Sequence, residues 1–238
     1  MEPMIGFAAR MALEAYSDQP NVEGFIVRPF TSGHVQGFTA RQGDMIWIVF
    51  CGTNDAADWL DNLDVDKEMM PFGGGVHAGF NHALDEVWEN LLSVLDHGRW
   101  NEAHFVGHSL GGALAALAAS RMLRSNFSRR KFLWTFGQPR CGDATWAQTM
   151  DLYLPDTCTR VFNAGDMVPH LPTVLRFSHA GRAVFFDHDG LRANPSKWHR
   201  LSEAFRAMVT FRKAPLAMLH AHSMRTYLIN VMNSLENS

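Results

Sequence analysis

Cysteine is scarce in this sequence, and so is any excess of positive charge. Cys51, Cys141 and Cys158 are the three cysteines among 238 residues, and no two of them form a C-x-x-C pair. An odd number of widely spaced cysteines fits neither a disulfide framework nor a zinc knuckle, so we expect reduced thiols. Lysine and arginine number 21 against 24 aspartates and glutamates, a formal net charge of −3. Without a basic surplus, we expect no nucleic-acid partner.

Long apolar runs are also missing. No stretch approaches the roughly 18 apolar residues that a membrane helix needs, so we expect no transmembrane segment. The start, MEPMIGFAAR, has an acid at position 2 and only a short apolar stretch. It therefore lacks the basic region and apolar core of a secretory leader. On this ground we expect a cytoplasmic protein, or one exported by a non-classical route.

The composition is that of a globular protein, with 47% hydrophobic and 19% charged residues. A length of 238 residues is at the upper end of what one domain usually spans. No internal repeat, low-complexity segment or linker divides the chain. We therefore expect a single domain over residues 1–238.

Strand-like and helix-like patterns alternate along the chain. MIWIVFC, at 45–51, is apolar at successive positions, as in a strand covered on both faces. Such alternation predicts an α/β fold with a mostly parallel sheet flanked by helices, and chemistry at the carboxyl ends of the strands. The predicted elements are, in order, a helix over 4–16, a hairpin of 24–30 and 34–41, a strand over 45–51, a helix over 80–95, a strand before Gly107, a helix over 110–123 and a strand over 131–136.

The pentapeptide GHSLG, at 107–111, lies where a predicted strand becomes a helix. In a G-x-S-x-G turn the glycines remove side chains that would collide, and the serine hydroxyl stands clear of the sheet. The N–H of Leu110, at the start of the helix, can then hydrogen-bond an oxyanion. A turn needed only for packing is the alternative. The preceding strand and the small-residue helix that follows favour Ser109 as a nucleophile.

A serine hydroxyl needs a base to take its proton and a carboxylate to orient that base. On this scaffold the expected order is serine, acid, histidine, each at the end of a later strand. With 12 histidines, the sequence leaves several candidates open. The downstream acids at strand ends are Asp143, Asp166, Asp187 and Asp189, and the downstream histidines are His170, His179, His188, His199, His220 and His222.

Further segments agree with this interpretation. They are VGHSLGGALA (106–115), FNAGDMVPHLP (162–172), HSMRTYL (222–228), VHAGF (76–80), FGQPRCGD (136–143) and FCGTNDAADWLDNL (50–63). Together they resemble the class 3 lipase family, the fungal-lipase-like α/β-hydrolases, over about residues 5–230. The resemblance implies the α/β-hydrolase fold and an enzyme that hydrolyses carboxylic esters with no metal or organic cofactor.

The resemblance also implies individual roles. It makes Ser109 the nucleophile, Asp166 the orienting carboxylate and His222 the general base. Thr53 becomes the second oxyanion residue, beside Leu110. Cys51 stands where the family often has arginine, a departure that leaves the oxyanion residues intact.

Each role has an alternative. Asp187, after the strand-like AVFF, is the next candidate for the acid. His220 and His222 form an H-x-H pair that on a strand could bind a metal, although no third ligand is marked. Thr53 could be an ordinary strand-end threonine, and His108 is expected to pack at the corner rather than react.

An amphipathic stretch follows the oxyanion residue. Helical spacing places Trp59, Leu60 and Leu63 on one face, opposite several aspartates. Such a segment, over about 54–72, is expected either to be a lid that covers the cleft and meets lipid when open, or to be a permanently docked helix. A second apolar stripe at 198–209, near basic residues, is expected to be core or to contact anionic lipid.

The resemblance implies a hydrolase of lipid esters, that is, a triacylglycerol lipase or carboxylesterase. The expected partners are a lipid or other carboxylic ester and, transiently, a lipid–water interface. Phospholipase A1, feruloyl-type esterase and acyltransferase activity would use the same residues, and a non-catalytic lipid-binding module is the alternative outside enzymes. The sequence does not choose between acyl-chain lengths or headgroups, because those preferences depend on the shape of the cleft.

Overall fold

The computed structural model describes residues 2–53, 66–95, 100–125, 128–172, 176–187, 190–193, 196, 202, 205–206, 209 and 215–236. The helices are α1 Glu2–Glu14, α2 Ala78–Leu95, α3 Leu110–Arg121, α4 Ala144–Tyr153, α5 Pro215–His222 and α6 Met224–Glu236, with a 3-10 turn at Val168–His170. The strands are β1 Ile26–Ser32, β2 Val35–Gln42, β3 Met45–Phe50, β4 Lys67–Met69, β5 Gly75–His77, β6 Trp100–His108, β7 Ser128–Phe136, β8 Cys158–Asn163, β9 Arg182–Asp187 and β10 Gly190–Ala193.

Eight strands form one sheet in the order β1-β2-β3-β6-β7-β8-β9-β10. The five central strands, β3, β6, β7, β8 and β9, run parallel to one another. The two edges are antiparallel: β1 and β2 form the predicted hairpin on β3, and β10 pairs with β9. The prediction of an α/β fold with a mostly parallel sheet is confirmed, and β4 and β5 form a separate two-stranded sheet.

The sheet is covered by helices on both faces, which explains the unbroken apolar run of β3. Side chains alternate across a strand. Ile46, Ile48 and Phe50 therefore join the core cluster that contains α2 and α3. Trp47 and Val49 point the other way, into the cluster that contains α1 and α6. Because both faces are buried, apolar side chains of β3 point to each of them, and the alternation of polar and apolar residues disappears along this strand.

Small residues let α3 lie close to the sheet. Every residue from Gly111 to Ser120 is buried, and the helix contacts β3, β6 and β7. On the opposite face, α1 packs against α6, where Gly6 leaves room for Leu235. The three cysteines are free and buried, and no described helix is long and apolar enough to cross a membrane.

Candidate active site

Ser109 occupies the sharp turn between β6 and α3. Its φ of 57° lies in the left-handed region, and its amide N–H donates to the Phe136 carbonyl at 2.9 Å. The flanking glycines are required by space: a Cβ on Gly107 would overlap the Gly111 backbone, and one on Gly111 would overlap the Phe50 carbonyl. The sequence folds into this corner because β3, β6 and α3 can approach one another only without those two side chains.

The structure brings the three predicted residues into one hydrogen-bonded chain. The Nε2 of His222 lies 2.8 Å from the Ser109 Oγ, and its Nδ1 lies 2.9 Å from the Asp166 Oδ2. A carboxylate only accepts hydrogen bonds, so Nδ1 carries the proton and Nε2 is left as an acceptor for the serine hydroxyl. All three side chains are buried, Ser109 and Asp166 completely. This arrangement can withdraw a proton from the serine.

The location of His222 corrects one expectation. The histidine was expected at the end of a strand, but it is the last residue of α5, and the single residue Ser223 separates it from α6. His220 is exposed on the same helix, so the pair does not occupy a strand. Residues two apart on a helix do not face one another. Within the described ranges, no three histidine, cysteine, aspartate or glutamate side chains are grouped to hold a metal.

Asp166 is the acid that contacts the imidazole, while Asp187 ends β9. The Asp166 Oδ1 accepts the Val168 N–H at 2.9 Å, and the Asp166 Oδ2 accepts the Tyr227 hydroxyl at 2.5 Å. Burial alone would raise the pKa of Asp166, but the charge of His222 and the hydrogen bonds from His222, Tyr227 and Val168 hold that pKa below its usual value. The carboxylate therefore stays ionised next to the base.

Two residues at the site were missed by sequence reasoning. Tyr227 lies within HSMRTYL, but nothing in that segment indicates that its hydroxyl reaches Asp166 across 61 residues. Gly137, directly after β7, has a φ of 58°, and a Cβ there would lie 3.0 Å from the Asp166 Oδ2 and 3.1 Å from the His222 Nδ1. A glycine at the carboxyl end of a parallel strand was the available signal.

The Gly52–Thr53 segment leaves β3 beside the serine. A Cβ on Gly52 would lie 3.1 Å from the Ser109 Cβ. The Thr53 Oγ1 is buried, and among the described residues no hydrogen-bond partner reaches it. A buried hydroxyl without a partner is costly and rare, which is what a donor awaiting an oxyanion requires. Leu110, the first residue of α3, follows the serine directly.

Most of the predicted lid lies outside the described residues. Trp59, Leu60 and Leu63 belong to the range 54–65, and their helical arrangement stays a prediction. The described remainder differs from a helix, since β4 pairs with β5 over Lys67–Met69. The second apolar stripe is described only in part, with Phe205 63% exposed.

A family model described as Lipase (class 3) matches residues 47–176, more than half of the 238 residues. This chain belongs to the class 3 lipase family. Among curated relatives, a lipase of Rhizomucor miehei is 37% identical over 149 residues, and the match covers 57% of this chain and 40% of the length of that lipase. The secreted mono- and diacylglycerol lipase 1 of Fusarium solani is 31% identical over 135 residues, covering 52% and 38%. The chain thus spans about two fifths of the length of these relatives.

Solved structures of lipases share the fold. The triacylglyceride lipase of Rhizomucor miehei aligns with a TM-score of 0.68 and 27% identity over 77% of this chain and 79% of its own. A second structure, of a triacylglycerol lipase whose catalytic centre is formed by a serine protease triad, aligns with a TM-score of 0.67 and 25% identity over the same shares. The α/β-hydrolase fold expected for this class 3 lipase family member is confirmed.

Proposed function

We propose that this class 3 lipase family member hydrolyses carboxylic esters of lipids, acylglycerols first among them, through an acyl-enzyme on Ser109. The observation that carries the proposal is the buried chain from the Ser109 Oγ through His222 to Asp166, with distances of 2.8 and 2.9 Å. The names of the relatives, a lipase and a mono- and diacylglycerol lipase, support the substrate class.

In the first half of the reaction, the Ser109 Oγ attacks the ester carbonyl carbon while the His222 Nε2 takes the hydroxyl proton. The ionised Asp166 holds the opposite nitrogen and stabilises the imidazolium. The carbonyl oxygen becomes negative as the tetrahedral intermediate forms. The N–H groups of Thr53 and Leu110 and the Thr53 hydroxyl are the donors proposed to stabilise it.

Collapse of that intermediate breaks the bond to the alcohol, which leaves with the proton held on His222. Water then attacks the acyl-enzyme, and His222 removes a proton from that water as it did from the serine. Expulsion of the Ser109 oxygen, which regains its proton from His222, releases the fatty acid. No metal takes part in either half.

A fluorophosphonate probe tests the nucleophile, because it reacts covalently only with an activated serine. We expect labelling of the wild type and none of Ser109→Ala, with matched folding checked by circular dichroism. Activity in EDTA should equal that in buffer. A wild type that stays unlabelled would support the lipid-binding module, and activity lost in EDTA and restored by zinc would support a metal-dependent hydrolase.

An acyl-chain profile tests the substrate class. Hydrolysis is measured on p-nitrophenyl monoesters, triglycerides, diacylphospholipids and feruloyl esters, with Ser109→Ala subtracted as background. We expect the highest rates on acylglycerols. A preference for phospholipids or feruloyl esters would replace acylglycerols as substrate and retain the same nucleophile.

A further inference from the structure

His108, next to the nucleophile, is a buried histidine that the mechanism does not use. Its two ring nitrogens each have a partner. Nε2 lies 2.6 Å from the backbone carbonyl oxygen of His222, and Nδ1 lies 2.6 Å from the hydroxyl of Tyr16. The His108 and His222 rings are 4.7 Å apart between centroids. A side chain on the serine corner thus holds the backbone of the base.

The direction of these hydrogen bonds follows from their chemistry. A carbonyl oxygen only accepts, so the proton on the His108 ring is on Nε2. Burial, with the charge of His222, lowers the pKa of His108 to about 3, so the ring is neutral and carries that single proton. Nδ1 must then accept, and the Tyr16 hydroxyl donates to it.

The Tyr16 hydroxyl also contacts the segment that leads to Thr53. A Cβ on Gly52 would overlap the Tyr16 hydroxyl oxygen, so the Gly52 backbone passes directly against that oxygen. Burial raises the pKa of Tyr16, which keeps the hydroxyl protonated.

We propose that the Tyr16 hydroxyl and the His108 ring form one directed hydrogen-bond chain that ends on the His222 carbonyl and, because Gly52 packs against the Tyr16 oxygen, fixes the base relative to the proposed oxyanion residue. Tyr16 and His108 are positioning residues in this proposal, which rests on the ester hydrolysis proposed above. The chain joins Tyr16 and His108, which are distant in sequence, to the end of α5, and the packing of Gly52 on Tyr16 brings the segment of the proposed oxyanion residue against it.

The His222 backbone needs such a restraint because it lies between two helices. Two other side-chain hydrogen bonds hold this turn in the described structure: the Asn163 Nδ2 donates to the Ala221 carbonyl at 3.0 Å, and the Thr226 Oγ1 donates to the His220 carbonyl at 2.8 Å. A displacement of the imidazole by about 1 Å is enough to lower a rate about 100-fold. Loss of the His108 contact should therefore lower kcat and leave KM unchanged, because no substrate contact is removed.

Three variants test the chain. His108→Leu removes both hydrogen bonds, and we expect kcat on a soluble short-chain ester to fall about 30-fold with KM within about twofold. His108→Gln carries an amide donor for His222 and a carbonyl acceptor for Tyr16, so it should restore most of the loss. Tyr16→Phe removes the hydroxyl alone and should cost about fivefold in kcat.

A double-mutant cycle separates positioning from general damage. If Tyr16 acts through His108, Tyr16→Phe should have almost no further effect in the His108→Leu background. His104→Gln is the matched control, since this buried histidine lies on the same strand and stacks on Trp47 at 4.0 Å, away from the serine. We expect it to lower the unfolding temperature and keep kcat.

The outcomes of these measurements distinguish failure of the proposed function from failure of the hydrogen-bond chain. A wild type inactive toward esters would overturn the proposed function itself. An active wild type whose His108→Leu and Tyr16→Phe variants keep full kcat would overturn the chain alone, as would additive losses in the double mutant. If His108→Leu fails to fold, Tyr16→Phe and His108→Gln still decide the matter, because a kcat in Tyr16→Phe equal to that of the wild type contradicts the proposal.

Discussion

Tyr227 donates its hydroxyl hydrogen to Asp166 across 2.5 Å, while the same oxygen accepts the backbone N–H of Asn163 at 3.2 Å. Both residues are completely buried. Burial and the charge of Asp166 raise the pKa of Tyr227, so the hydroxyl keeps its proton and acts only as a neutral donor to the carboxylate. Asp166 thus has a second side-chain hydrogen-bond partner, Tyr227, in addition to His222.

Replacing Tyr227 with phenylalanine should lower kcat about tenfold, because one of the hydrogen bonds that stabilise and orient the carboxylate is lost. KM should stay close to that of the wild type, since Tyr227 is buried behind the acid. Steady-state kinetics on a soluble ester measure both constants. Tyr153→Phe, on the half-exposed end of α4, is the control. Equal losses in the two variants would contradict a role for the Asp166 contact.

Gly137 can be tested against a glycine with the same backbone angle. Gly137 and Gly43 both have a φ of 58°, but an added Cβ meets the Asp166 and His222 side chains at Gly137 and nothing within 4 Å at Gly43. Both alanine variants should lose about 1 kcal/mol of unfolding free energy from the left-handed conformation. The Gly137→Ala variant alone should also lose kcat. Urea unfolding and ester kinetics compare the pair, and a matching fall in kcat for Gly43→Ala would refute the steric explanation.

Thr53 should show opposite effects on rate and stability. Thr53→Val keeps the shape and removes the hydroxyl, so kcat should fall about 100-fold if that hydroxyl stabilises the oxyanion. The unfolding free energy should stay equal or rise by about 1 kcal/mol, since no described partner loses a hydrogen bond. Thr53→Ser should keep most activity. A Thr53→Val enzyme with full kcat would leave Thr53 as an ordinary residue at a strand end.

Acid should weaken the fold through Asp166. Its folded-state pKa lies below the usual value, so the unfolded chain takes up the proton first as pH falls. The stabilisation is complete above about pH 5 and declines as pH falls through about 3.9 and on toward the folded-state pKa. Urea unfolding measured from about pH 5 to below about pH 3.9 gives the free energy of unfolding. This free energy should fall less steeply with pH for Asp166→Asn than for Ser109→Ala, which keeps the carboxylate. Identical slopes would show that Asp166 does not contribute.

The fold could be predicted largely from local patterns. The unbroken apolar run at β3 is typical of a strand buried on both faces, and the structure confirms the parallel sheet around it. The GHSLG corner could be predicted equally well, because close packing of β6, α3 and β3 leaves no room for side chains at Gly107 and Gly111. Local sterics act within a few residues, and a sequence displays them directly.

Contacts between distant segments were harder to predict. The base was expected after a strand and is the last residue of a helix, since a strand end is only one of several ways to deliver an imidazole to the serine. The hydrogen bonds of Tyr227 and His108 join residues 61 and 114 positions apart. Nothing in their neighbours encodes such pairings, because they arise only when the sheet and its flanking helices have packed.

The order of Ser109, Asp166 and His222 along the chain has a consequence for biosynthesis. Ser109, the proposed nucleophile, and Asp166 lie shortly after β6 and β8, whereas His222 ends α5, and Tyr227, which contacts Asp166, lies on α6. During translation, the proposed nucleophile and all of the described strands therefore emerge from the ribosome before the imidazole that would activate the serine. Under the function proposed above, the capacity for hydrolysis would be gained in a single step, when α5 and α6 dock on the sheet.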